Sequence, residues 1–170
     1  MGQYHLIIDL DAREYLDPHQ LGSGLKAWEQ IANRASTPQA LFVLLTCSNG
    51  RGGGDFRPSV ANNGEQIIGR WAGHRIAVVG DYAEDGDFAT PTDEPISELY
   101  DRCRDGVYRD ITALVRPILA RELGVRYIAE RWWLQESDGG RTKHVFWRLE
   151  RDPKAPYSIL PQTADSKGAP

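Results

Sequence analysis

The residues best suited to chemistry are Ser48-Asn49-Gly50-Arg51-Gly52-Gly53-Gly54-Asp55, four glycines, an arginine and an aspartate within eight positions. Glycine adds no packing surface and raises the entropic cost of ordering the chain, so such a run does not belong inside a helix or strand. It can let a ligand approach peptide N–H groups closely, with Arg51 and Arg57 to pair an anion. A hairpin expected just downstream would add Arg70 and Arg75. The candidate ligand-binding set is therefore Asn49, Arg51, Gly52, Gly53, Gly54, Asp55, Arg57, Arg70 and Arg75, weighed against a plain surface turn at even odds. No Gly-Lys-Ser/Thr follows the glycines and no Gly-x-Gly-x-x-Gly joins a strand to a helix, so neither phosphate-loop motif is present and no cofactor is indicated.

Two further groups carry alternative chemistry. Asp81, Glu84, Asp85 and Asp87 supply hard oxygen ligands that, with Asp55, could hold a divalent metal for a phosphoesterase or nucleotide hydrolase. The spacing lacks the full EF-hand pattern and reads first as a solvated loop, so no metal site is assigned. In the last third, Arg131, Trp132, Trp133, Lys143, His144, Trp147 and Arg148 interleave aromatics with cations, a pattern that can stack on single-stranded nucleic acid. Strand alternation puts Trp132 and Trp133 on opposite faces, which favours packing over nucleic-acid binding. His5, His19, His74 and His144 are scattered without metal-ligand spacing, and Cys47 and Cys103 form no CxxC, so both cysteines read as reduced thiols.

The elements that must position these groups follow from periodicity. Tyr4-His5-Leu6-Ile7-Ile8-Asp9-Leu10 reads as a strand short enough to be buried on both faces. Leu25, Trp28 and Ile31 share one side of an amphipathic helix capped by Ser23. Residues 40–46 are apolar throughout, and Thr37-Pro38 upstream marks them as a buried helix. Residues 66–82 read as a β-hairpin reversing at Gly73, and 83–95 as an exposed acidic loop before a short helical turn at 96–104. Asp110 caps a helix over 111–123 that stops at Gly124 and carries Pro117 inside it. Residues 125–134 and 142–149 flank the hairpin turn at 137–140. The layout is α+β, a mainly antiparallel sheet built from hairpins with about three helices against it: a single domain over 1–152 and a flexible tail over 153–170.

The start Gly2-Gln3-Tyr4-His5, the loop Asn49-Gly50-Arg51-Gly52-Gly53-Gly54-Asp55 and the stretch 69–82, Gly-Arg-Trp-Ala-Gly-His-Arg-Ile-Ala-Val-Val-Gly-Asp-Tyr, together resemble a family of small proteins of bacteria and their viruses for which no activity is established. The resemblance covers roughly the first half of the chain. It implies a shared architecture and no reaction.

Composition bounds what remains. The 170 residues are 41% hydrophobic and 26% charged, ordinary globular values, and no stretch approaches the roughly 20 apolar residues of a membrane span. The start lacks a signal-peptide pattern, so a cytoplasmic location is expected. Net charge is −4 but unevenly spread: residues 55–100 carry nine acids against three arginines, and 101–154 nine acids against twelve bases. That modest positive half falls short of a duplex-binding domain. The sequence thus reads as a small binding module for an anionic small molecule or a protein partner. It leaves open oligomeric state and whether any reaction is catalysed.

Overall fold

The computed structural model describes residues 3–22, 27–47, 61–62, 64–135 and 141–160, and only the backbone of 61, 62, 131–135, 141–144 and 146. At its centre lies β1 (His5–Asp9), paired antiparallel with β2 (Glu14–Leu16) on one side and with β5 (Ile76–Gly80) on the other. β6 (Arg109–Asp110) adds parallel to β2, giving the order β5-β1-β2-β6. Successive side chains of a strand point to opposite faces, and here that splits the core in two. Ile7 joins Leu16, Trp71 and the buried faces of α2 (Thr37–Leu45) and α4 (Thr112–Leu123). Leu6 and Ile8 join Val79, Tyr108 and Leu99 and Cys103 of α3 (Ile96–Arg104). A strand segment with both faces buried favours apolar side chains at every position, which is why Leu6-Ile7-Ile8 at the middle of β1 is an unbroken apolar run.

Local signals set the helix ends. The Ser36 N–H donates to Gln39 Oε1 at 3.0 Å at the start of α2, so the cap stands one residue before Thr37. Asp110 Oδ1 accepts from the Thr112 N–H at 2.8 Å and opens α4. Gly124 closes it in the left-handed region, φ +61°. A 3-10 turn over Pro18–Leu21 follows β2, with Asp17 accepting from the His19 N–H at 3.0 Å.

Two small sheets complete the described chain: β3 (Ala61–Asn62) with β4 (Glu65–Gln66), and the long hairpin of β7 (Val125–Gln135) and β8 (Arg141–Arg151). The hairpin is held to the helices by the Arg116 guanidinium, 3.7 Å from the Trp147 ring centroid, and by the Tyr127 hydroxyl donating to the Ala35 carbonyl. The class is α+β, with four α-helices among the described residues.

Two expectations require correction. Residues 67–75 do not form the first arm of a hairpin: they run as successive turns, and β5 pairs with β1 instead. The reason lies in α2, whose last-turn carbonyls Val43 and Leu44 accept from the Gly69 and Trp71 N–H groups at 2.9 Å each. Ile67, Ile68 and Trp71 are thereby delivered into the core rather than onto a strand. Of the helix expected at 25–31, the described part is α1 (Ala27–Ala32), and it presents its apolar side outward: Trp28 is 81% and Ile31 60% exposed, while Gln30 is buried. Ser23 and Leu25 lie outside the described residues.

Within the stretch expected as a tail, Tyr157 and Ile159 are hydrogen-bonded to the end of α4 and to Arg34. The Ile159 N–H donates to the Leu123 carbonyl at 3.1 Å, the Tyr157 hydroxyl donates to the Glu122 carbonyl, and Arg34 donates to the Ile159 carbonyl at 3.0 Å. A helix end leaves carbonyls without partners, and this segment supplies them. Residues 161–170 lie outside the described residues, as does the turn at 137–140.

Candidate docking site at the open edge of the sheet

Of the candidate ligand set, Asn49, Arg51, Gly52, Gly53, Gly54, Asp55 and Arg57 lie outside the described residues. Arg70 and Arg75 are described, and each is engaged by the protein's own carboxylates. Arg70 makes a two-point contact with Glu14 at 2.7 and 2.6 Å and reaches Glu65 at 3.1 Å. Arg75 bridges Asp11 at 2.7 Å and Asp93 at 2.9 Å. Burial raises the Glu14 carboxyl, but the hydrogen bonds from Arg70 and the Trp71 indole outweigh it, and the group titrates below the ordinary glutamate range.

The acidic group is likewise occupied. Asp81 accepts from the Tyr4 N–H at 3.1 Å, Asp87 from the Glu84 N–H at 2.9 Å, and Asp85 from the Ser97 N–H and hydroxyl at 3.1 Å each. The Ser97 amide bond holds the Asp85 carboxyl below its usual value, as expected at the N-terminus of α3. Among the described residues no cluster of His, Cys, Asp or Glu could hold a metal ion. In the third group, Trp147 is used internally by Arg116, and Arg148 pairs with Glu130 and Glu150. The side chains of Arg131, Trp132, Trp133, Lys143 and His144 lie outside the description. Burial pushes the Cys103 thiol up to about 12, so it remains protonated at neutral pH.

What the structure adds is a cleft of about 510 Å³ beside β5, one of the two edge strands of the described four-stranded sheet. Ile76, Ala77 and Val78 line one wall, residues 87–92 the opposite one, and Leu10 and Arg75 one end. Hydrogen-bonded positions alternate along an antiparallel pair. The Leu10 N–H donates to the Arg75 carbonyl and the Asp81 N–H to the Tyr4 carbonyl, each at 3.0 Å, so Arg75, Ala77, Val79 and Asp81 face β1. The N–H and C=O groups of Ile76 and Val78 therefore point away from β1, and among the described residues they have no partner. The Gly80 carbonyl, at the end of the edge, accepts from the Ala83 N–H at 3.1 Å. Val78 is 57% exposed, an apolar side chain beside an open ladder.

The opposite wall is anchored at three places. Phe88 packs against the core of Leu6, Ile8 and Val79, Asp85 is tied to α3, and Asp93 is tied to Arg75. Beyond it, Glu94 pairs with Arg13 and lies 3.5 Å from Arg102. From Ile76 through Asp101 the chain has eight acids and no Lys, Arg or His. That charge run was the one sign of the cleft in the sequence; which strand would be the edge was not visible. A second groove of about 300 Å³ lies between α2 and α4, lined by Pro38, Phe42, Val43, Leu119 and Leu123.

No family model, curated protein or solved structure matches this chain. No helix among the described residues is long and apolar enough to cross a membrane.

Proposed function

We propose that this protein is a binding module whose ligand is a protein partner, received in the cleft along β5. The observation that supports this reading is the pair of outward-facing backbone donors and acceptors at Ile76 and Val78, set beside an exposed apolar side chain in a walled cleft. Natural sheets blunt such edges with charge, proline or a covering segment, because an open ladder is a template for another chain. Here the wall at 87–92 stands off and leaves room. The anionic-ligand reading gains less support, because Arg70 and Arg75 already spend their charge on Glu14, Glu65, Asp11 and Asp93.

Selection of a displayed library of random seven-residue peptides on the immobilised protein tests the reading, with Val78→Pro as the control surface. Proline at 78 deletes an outward N–H and no bond to β1, and edge strands tolerate proline. Peptides enriched on the native protein and lost on Val78→Pro are the expected result. Absence of enrichment, or equal enrichment on both, would sink the proposal.

A further inference from the structure

Resting on that reading of the cleft, we infer that its occupant is a short, extended, basic segment of another protein, added to β5 as a fifth strand of the main sheet.

The backbone defines the form. β5 spans five residues, an edge of roughly 17 Å at the strand rise. Ile76 and Val78 together offer two donors and two acceptors, and the ladder stops at Gly80 because its carbonyl is bound in the following turn. A helix cannot satisfy alternating edge groups, since its own are used internally; an extended chain can. The segment therefore pairs over about four residues, and the one facing Val78 is apolar.

Charge defines the composition. Asp81, Asp85 and Asp87 accept from neutral N–H and hydroxyl donors, so their negative charge is not cancelled by a cation, and Asp87 itself lines the cleft. Glu84, exposed beside them, adds a fourth carboxylate. The other end, around Arg75, sets Asp11 and Asp93 against a single guanidinium. Both ends of the edge are net negative, so a second copy of this chain laid against β5 would bring acidic rim to acidic rim. A partner carrying Lys or Arg beside its apolar residue meets attraction at the same places, which raises the association rate and selects among partners.

The experiment uses the peptides recovered on the native protein, resynthesised with a fluorescein label and measured by anisotropy. Enrichment of Lys and Arg, binding at least about tenfold weaker when the amides that would face Ile76 and Val78 are N-methylated, and binding several-fold weaker to Glu84→Gln/Asp87→Asn and at raised salt are expected. N-methylation tests strand pairing without altering the protein, so it decides the matter even where Val78→Pro folds poorly. Recovered peptides that depend on Val78 but are acidic, charge-indifferent or insensitive to N-methylation would overturn the inference and leave the docking cleft standing. A dimer in sedimentation that Val78→Pro dissociates would overturn it in favour of a second copy. With no recovered peptide at all, the cleft reading and the inference fall together.

Discussion

Asp9 stands directly opposite Glu14 in the β1–β2 ladder, two carboxylates buried side by side across one hairpin. Like charges in that position repel. The turns at 67–75 ease the conflict by giving each a hydrogen-bonded partner: His74 Nδ1 lies 2.7 Å from Asp9, and the Arg70 guanidinium 2.6 Å from Glu14. The remaining Asp9 oxygen accepts from the Asp11 and Ala12 N–H groups, each at 2.9 Å, which shapes the β1–β2 turn. The same turns fasten to α2, so one segment neutralises the sheet end and joins it to the helical layer.

Arg70→Met is expected to destabilise the fold by about 3 kcal/mol, because it leaves Glu14 buried without its cation. Adding Glu14→Gln should recover part of that loss, since the neutral amide still accepts from the Trp71 indole. Urea unfolding of the two single variants and the double variant measures the coupling. Strict additivity would remove the pairing from the account of stability.

Acid should act through Glu14. Its folded carboxyl titrates below the ordinary 4.5, so the stabilisation is present above that value and is lost as pH falls through the lower folded value. Unfolding free energy followed from pH 6 downward should decline less steeply in Glu14→Gln than in the native protein.

His74 should act in the opposite direction. Its hydrogen bond to Asp9 raises the imidazole above 6.5, so its contribution is full below that value and fades as pH rises through the raised folded value. The stability gap between the native protein and His74→Gln is expected to be widest near pH 5.5 and to narrow above neutrality. A gap that widens with pH would contradict the assignment, and ring-proton NMR titration reads the same shift directly.

Arg75→Gln tests the cleft wall. The guanidinium is exposed and its pairs with Asp11 and Asp93 are screened by water, so the thermal midpoint should barely move. Amide exchange at residues 88–93 should nevertheless accelerate. Unchanged exchange would show that Phe88 and the tie of Asp85 to α3 hold the wall without Arg75.

Gly124→Ala should cost about 1–2 kcal/mol for the left-handed backbone alone. A Cβ there also runs into the Tyr157 carbonyl, so residues 157–160 must shift from the end of α4. Amide exchange at Ile159 reports that displacement. Loss of stability with Ile159 still protected would separate the two effects.

Much of the architecture was legible because its causes are local. The apolar run 6–8 identified a strand buried on both faces, Asp110 and Gly124 marked the ends of α4, and the two apolar segments around 137–140 announced β7 and β8. Periodicity misjudged Trp28 and Ile31, because helical spacing groups apolar residues on one side without saying which side faces the core, and here Gln30 is the one buried. It misjudged Trp71 for a different reason: glycine-spaced turns and a hairpin arm look alike until the carbonyls of α2 decide where the N–H groups go.

The sequence by itself determined the class of fold, the ends of α4 and the uneven charge, since each depends on residue types or on residues a few positions apart. Only the tertiary structure decided that β5 lies at an edge of the described sheet and that Arg70 and Arg75 are bound to carboxylates 56 and 64 residues away. A guanidinium pairs with whichever acid the fold brings within reach, and a strand becomes an edge only when no other segment pairs with its outer side.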